Sequence, residues 1–157
     1  TLFRSDNDFW IMLMPYPWSF EQIEVWLPGG IWTQGAKDYN ILADHELNSG
    51  LKGYPSETEG AYFASRLAVT EYLVKEKISC AAIIFREIGQ DYAVPLGVWQ
   101  IRENVRAALK EKALDFSSMD LALEFLSKKL TVPMQKYKKK SELIKHFKTQ
   151  HRLSEWT

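Results

Sequence analysis

The stretch EGAYFASRLAVTEYLVKEKISCAAIIFREIGQDYAVPLGVWQIRENVR, Glu59 to Arg106, reads as a helix, a buried strand, a short Pro/Gly turn and a second helix. At the 3.6-residue period, the segment from Glu59 to Lys77 carries three apolar stripes. Ala61, Ala64, Ser65, Ala68 and Tyr72 form one, Phe63, Leu67 and Val74 another, and Tyr62, Val69 and Leu73 a third. A helix apolar nearly all round is expected to be packed on several sides. Its narrow polar strip holds Glu59, Arg66 and Thr70. An arginine there needs a partner, because an unpaired buried charge costs about 3–5 kcal/mol.

The run ISCAAIIF that follows predicts an interior strand, Ile78 to Ile88, covered on both faces and ending in the charged pair Arg86-Glu87. Ligands of open α/β sheets sit at such carboxyl ends. The next helix, about Val98 to Lys112, is expected to bury Val98, Ile101, Val105, Ala108 and Leu109 and to carry Arg102 and Arg106 one turn apart. Arg66, Arg86, Arg102 and Arg106 therefore gather on one supersecondary unit, with Glu59, Glu87 and Glu103 as acidic companions. Guanidinium groups suit bidentate recognition of phosphate or carboxylate. The competing reading pairs Arg66, Arg86 and Arg102 with those glutamates as internal clamps.

The 157 residues suit one domain that buries roughly two thirds of its unfolded surface. There is no apolar run long enough for a transmembrane helix and no signal-peptide pattern, so no membrane partner is expected. A single cysteine, Cys80, excludes an internal disulfide and a four-cysteine zinc site, and fits a reducing cytoplasm. The net charge of zero hides a split, since residues 128–157 carry +7 and residues 1–127 carry −7. Such a basic segment suits a polyanion or an acidic partner surface, with Lys138, Lys139, Lys140 and Arg106 as the expected phosphate or DNA contacts. A solvated amphipathic helix is the plainer alternative.

Before the central stretch, Phe9 to Met14 predicts a strand, and Trp18 to Trp26 a short helix capped by Ser19. Trp18, Trp26 and Trp32 are expected in the core or at its rim. Tyr39 to Leu47 predicts a strand with Asp44 and Glu46 on one face and His45 on the other, too few groups for a metal shell. Ser56 or Thr58 is the expected cap of the central helix. Glycines 50, 53 and 60 match neither phosphate-loop pattern. Past Leu114 the chain predicts helices over Asp120 to Leu130, capped by Ser117 or Ser118, and over Lys138 to Phe147, the latter with Leu143, Ile144 and Phe147 inward.

The chain ends in QHRLSEWT, with Gln150, Leu153 and Trp156 at the three-residue rhythm of a 3₁₀ turn. An apolar residue and an aromatic at a free end suit docking into a partner's groove. The pattern resembles the peptide Q-x-x-(apolar)-x-x-(aromatic)-(aromatic) with which proteins attach to the sliding clamp PCNA, except that Thr157 replaces the last aromatic. The blocks GAYFASRLAV and PLGVWQIRENVR, with DHELNSGLKGYPSETE, FREIGQDYAV and the opening PWSFEQIEVWLPGGIW, resemble the C-terminal region of the archaeal Nre family of DNA repair proteins. That resemblance implies a DNA-repair role and a PCNA-interacting peptide formed by Gln150, Leu153, Trp156 and Thr157. It also implies an N-terminal half, with a four-cysteine zinc motif in some members, that is expected to be missing here; no zinc site falls on this chain and its cofactors stay unknown.

The expectation is thus an α/β or α+β domain, a small mixed sheet around a buried central strand. Residues 1–127 form the core, 128–149 a basic helical tail and 150–157 the clamp-binding peptide. The leading function is a DNA-repair factor recruited to PCNA. The alternative is an enzyme acting on a nucleotide or nucleic-acid phosphate through Arg66, Arg86, Glu87, Arg102 and Glu103.

Overall fold

A computed structural model describes the backbone of residues 7–92 and 97–154, and the side chains of 8–92 and 97–150. Of the turn expected before the second helix, Pro95-Leu96-Gly97, the first two residues lie outside the described residues and Gly97 opens the helix.

The buried run becomes strand β4, Ala81–Ile88, with all eight residues buried. Around it stand β1 (Asn7–Met14), β2 (Phe20–Trp26) and β3 (Asn40–Glu46), in the order β1-β4-β2-β3. β1 and β4 are antiparallel, β2 and β4 parallel, and β2 and β3 antiparallel. The fold is α+β with a mixed sheet, as the continuous apolar pattern of β4 demands of a strand flanked on both sides.

Helices cover both faces. α1 (Gly60–Glu76) and α2 (Gly97–Ala108) bury Tyr62, Val69, Ile101 and Val105 against Phe9, Phe20, Ala82 and Ile84. On the opposite face α3 (Met119–Ser127), α4 (Met134–Lys140) and α5 (Glu142–Ser154) bury Leu123, Tyr137, Leu143 and Phe147 against Trp10, Ile23, Ile83 and Phe85. Residues 128–149, expected as a basic tail, are therefore part of the core. Their lysines point outward, while Leu130, Val132, Met134, Tyr137, Leu143, Ile144 and Phe147 point in.

Several local expectations change. Where a helix is expected over Trp18–Trp26, residues Phe20–Trp26 form a strand. Alternation fails there because both faces are buried: Glu21, Ile23 and Val25 face the α3–α5 side, and Phe20, Gln22 and Glu24 the α1–α2 side. α1 packs on one side only, with Phe63, Leu67 and Val74 exposed. Thr58 does not cap it, because the Asp44 carboxylate takes the Thr58 N–H and hydroxyl and the Glu57 N–H. Glu59 occupies the N-cap at φ 46°, without a side-chain bond. Ser118 does cap α3, accepting from the Leu121 N–H at 3.2 Å. The helix expected over Lys138–Phe147 is two helices broken at Ser141, whose hydroxyl accepts from the Ile144 N–H and caps α5. Val98 and Trp32 are exposed rather than packed.

Candidate functional site

Strand β4 sends neighbouring charges to opposite faces, because side chains alternate along a strand. The Arg86 guanidinium lies 2.6 Å from Glu24 in β2, both side chains buried, with Phe9 and Tyr92 rings against it. Gln22 donates to the same Glu24 oxygen at 3.2 Å. Glu87 faces α4 instead. It accepts the Thr131 and Val132 N–H groups at 2.7 and 2.9 Å and the Tyr137 hydroxyl at 2.6 Å. Burial and the adjacent Glu87 charge push the Tyr137 phenol well above its ordinary range.

Arg66 shares a face with Arg86 but has its own partner. From α1 it reaches Glu46 in β3 at 3.0 and 2.9 Å, over the Trp18 ring. Glu46 also accepts from the Trp18 indole at 2.6 Å and from Tyr62 at 3.3 Å. Burial, then the Glu46 charge, raise the Tyr62 phenol far above its ordinary range. Farther along α2, Arg106 grips Glu71 in α1 with two bonds, at 2.9 and 2.8 Å, and Glu103 with a third at 2.6 Å. Those bonds hold the Glu71 carboxyl below its ordinary value. Arg102 lies 3.6 Å from Glu103, an ion-pair distance without a hydrogen bond.

Arg66 and Arg86 thus form separate clamps, while Arg102 and Arg106 share the expected companion Glu103, and the four do not make one cluster. The expected companions Glu59 and Glu87 are not theirs, since Glu59 sits exposed at the start of α1 and Glu87 lies across the sheet. The partners that sequence reading missed are Glu24, Glu46 and Glu71, and the first two belong to strands that only the pairing register brings beside α1 and β4. Two clefts of about 500 and 530 Å³ open at the two edges of the sheet, and none of these four arginines lines either. Among the described residues no group of three or more His, Cys, Asp or Glu is placed to hold a metal. Asp44 and Glu46 serve as a turn acceptor and a clamp.

The basic residues divide in the same way. Lys140 pairs with Glu57 at 2.6 Å, Lys145 with Glu142 at 2.6 Å and Lys148 with Asp120 at 2.9 Å. Burial raises the Glu57 carboxyl, but bonds from Lys140 and the Ala43 N–H outweigh it and hold the group below its ordinary value. Arg106, expected at phosphate, is engaged by two carboxylates. Lys138 and Lys139 have no carboxylate partner among the described residues, and Lys139 is exposed.

Beneath these lysines α5 is fixed by Glu21 of β2. Its carboxylate accepts the Ser141 hydroxyl and, at 2.8 Å, the Glu142 N–H. Burial lifts Glu21 to about 7 against those bonds, which lower it. From this anchor α5 runs on through Gln150 to Ser154. Gln150 and Leu153, expected in an unpacked 3₁₀ turn, are within an α-helix, and Gln150 meets His146 at 3.1 Å. Trp156 and Thr157 lie outside the described residues.

Residues 46–156 match the family model described as "Archaeal Nre, C-terminal", and residues 3–33 match "Archaeal Nre, N-terminal". Part of the region expected to be missing is therefore present, as β1 and β2. The chain is 36% identical over 144 residues to the DNA repair protein NreA of Haloferax volcanii, which spans 91% of this chain and 34% of that protein. It is 36% identical over 142 residues to the DNA repair protein NreB of Archaeoglobus fulgidus, 90% of this chain and 36% of the relative. It is 36% identical over 124 residues to NreA of the same organism, 79% of this chain and 31% of the relative. The chain spans about a third of the length of these relatives. No solved structure matches it.

Proposed function

Since the chain belongs to the archaeal Nre family, we propose that it is a DNA-repair factor that docks on PCNA through its C-terminal residues. The observation that carries the repair reading is its identity, over nine-tenths of its length, to relatives named DNA repair proteins. The clamp reading rests on Gln150, Leu153, Trp156 and Thr157, spaced as in the clamp-binding peptide. In the free chain the first two of these belong to α5. Docking then rewinds the last turn from α to 3₁₀ geometry, a change confined to residues past the buried Phe147. Of the four residues expected at phosphate, Lys138 and Lys139 are those without a carboxylate partner among the described residues, and these two would meet DNA phosphate or an acidic clamp surface.

The paired state of Arg66, Arg86 and Arg106 supports a binding factor over phosphate chemistry at these arginines, because each guanidinium already pairs with a carboxylate. Deleting the gene in its host should lower survival after ultraviolet or alkylation damage, and unchanged survival would overturn the repair role. Calorimetric titration of an archaeal PCNA should show binding by the intact chain and none by a chain ending at Thr149. Equal binding by both would overturn the recruitment reading.

A further inference from the structure

The boundary between the two family models cuts through one sheet. β1 and β2 fall in the N-terminal match and β4 in the C-terminal match, with β3 in the stretch between the two except for its last residue, Glu46, yet β4 lies between β1 and β2. The end of the N-terminal region is thus woven into the C-terminal one. Among the described residues β1 stands at the sheet edge, with β4 as its one strand neighbour. An eight-residue edge strand with open backbone groups invites a further strand, and proteins normally cover such an edge.

Here a groove of about 530 Å³ follows that edge. One wall is β1 and its turn, Phe9 through Tyr16, a length of roughly 25 Å at the rise of a strand. The other wall comes from residues 108–119 after α2 and from α3, including Leu114 and Phe116, which are exposed together with Leu13 of β1. Its rim charges, Glu111, Lys112 and Asp115, are mixed in sign and select no polyanion. The shape is long, apolar and backed by backbone hydrogen-bonding groups, which suits an extended peptide rather than a compact ligand.

We propose that this groove receives an extended segment of the N-terminal Nre region as a fifth strand beside β1. The family models themselves point to this occupant. The N-terminal model touches this chain only at 3–33, and about two thirds of each relative has no counterpart here.

The probe is the part of Archaeoglobus fulgidus NreB without a counterpart in this chain, produced separately and mixed with the intact 157 residues. Binding should slow hydrogen exchange about tenfold or more at the β1 amides that face away from β4. Leu13→Lys in one wall and Phe116→Asp in the other should each weaken binding about tenfold or more. The Phe116 variant lies outside the sheet and keeps the test valid if the Leu13 variant unfolds. Absence of binding, or binding that leaves β1 exchange and both variants unaffected, would overturn the proposal. So would a dimer of the chain alone with β1 protected, which would make a second copy the occupant. PCNA binding and the repair phenotype are not involved in any of these outcomes.

Discussion

Arg86 and Glu24, 62 positions apart in sequence, meet at 2.6 Å with both side chains almost wholly removed from solvent. Removing one partner of such a pair leaves the other charge buried and unpaired, at a cost of about 3–5 kcal/mol. Arg86→Ala should therefore lower stability by that order in a urea titration. Replacing both residues with apolar groups of similar volume should recover most of the loss, because burying the pair gains little net energy. If Arg86→Ala leaves stability unchanged but removes a binding activity, the clamp is a ligand site after all.

A gentler change tests the other face. Tyr137→Phe removes the hydroxyl that Glu87 accepts at 2.6 Å and preserves the ring stacked edge-on to Phe85. A hydrogen bond to a charged acceptor is worth about 1.5–3 kcal/mol. The expected loss lies in that range, with faster hydrogen exchange at the Thr131 and Val132 amides, which Glu87 holds.

Glu21 sets a pH dependence. Its folded value of about 7 stands above the ordinary 4.5, so the folded chain holds the proton more tightly than the unfolded one. Stability from this group is full below the unfolded value and falls as pH rises from about 4.5 through about 7, by at most roughly 1.4 kcal/mol per pH unit. Glu57 and Glu142, both held below their ordinary values, act oppositely, losing their contribution as pH falls below about 4.5. Thermal unfolding should thus peak in midpoint near pH 5. Glu21→Gln keeps an acceptor for the Glu142 N–H and should flatten the decline toward pH 7; an unaltered slope would mean that Glu21 is ionised throughout.

These groups explain what was legible in the sequence. β4 announced itself because eight buried residues in a row can only be an interior strand, and the apolar faces of α2 and α3 gave their helical period directly. β2 was hidden because Glu21, Gln22 and Glu24 look exposed by residue type, and only their partners Ser141, Glu142 and Arg86 make burial affordable. The arginines were legible as groups in need of carboxylates, but their actual partners depend on strand order, which local patterns do not encode. The inward face of α5, Leu143, Ile144 and Phe147, was legible from its apolar spacing, whereas the packing of α4 through Met134 and Tyr137 was masked by its lysines.

Lys138 and Lys139, the two expected DNA contacts without a carboxylate partner among the described residues, give a salt test. If Lys138 and Lys139 contact DNA phosphate, replacing either with Ala should reduce the slope of log affinity against log salt by roughly 0.7–0.9. Lys140→Ala should do less, because Lys140 is already neutralised by Glu57 at 2.6 Å. Equal effects from all three would show that the Glu57 pair opens on binding, and no effect from any would make this face merely solubilising.

The sharpest expectation concerns Trp156. Interface energy concentrates in buried aromatic anchors, so Trp156→Ala should cost about 2–4 kcal/mol of PCNA affinity, roughly 30- to 1000-fold. Leu153→Ala should cost less, and His151→Ala almost nothing, because His151 lies off the face shared by Gln150, Leu153 and Trp156. The helical state of Gln150–Ser154 adds a second signature. If docking rewinds that turn, the last turn of α5 must first leave its α-helix, so a substitution that favours helix there should weaken binding without touching the anchors. Ser154→Ala does this, since Ala is the stronger helix former, and its effect should be slight and additive with that of Trp156→Ala. Tighter binding by Ser154→Ala would mean that the peptide docks as an α-helix, and undiminished binding by Trp156→Ala would remove the anchor and with it the clamp-binding assignment.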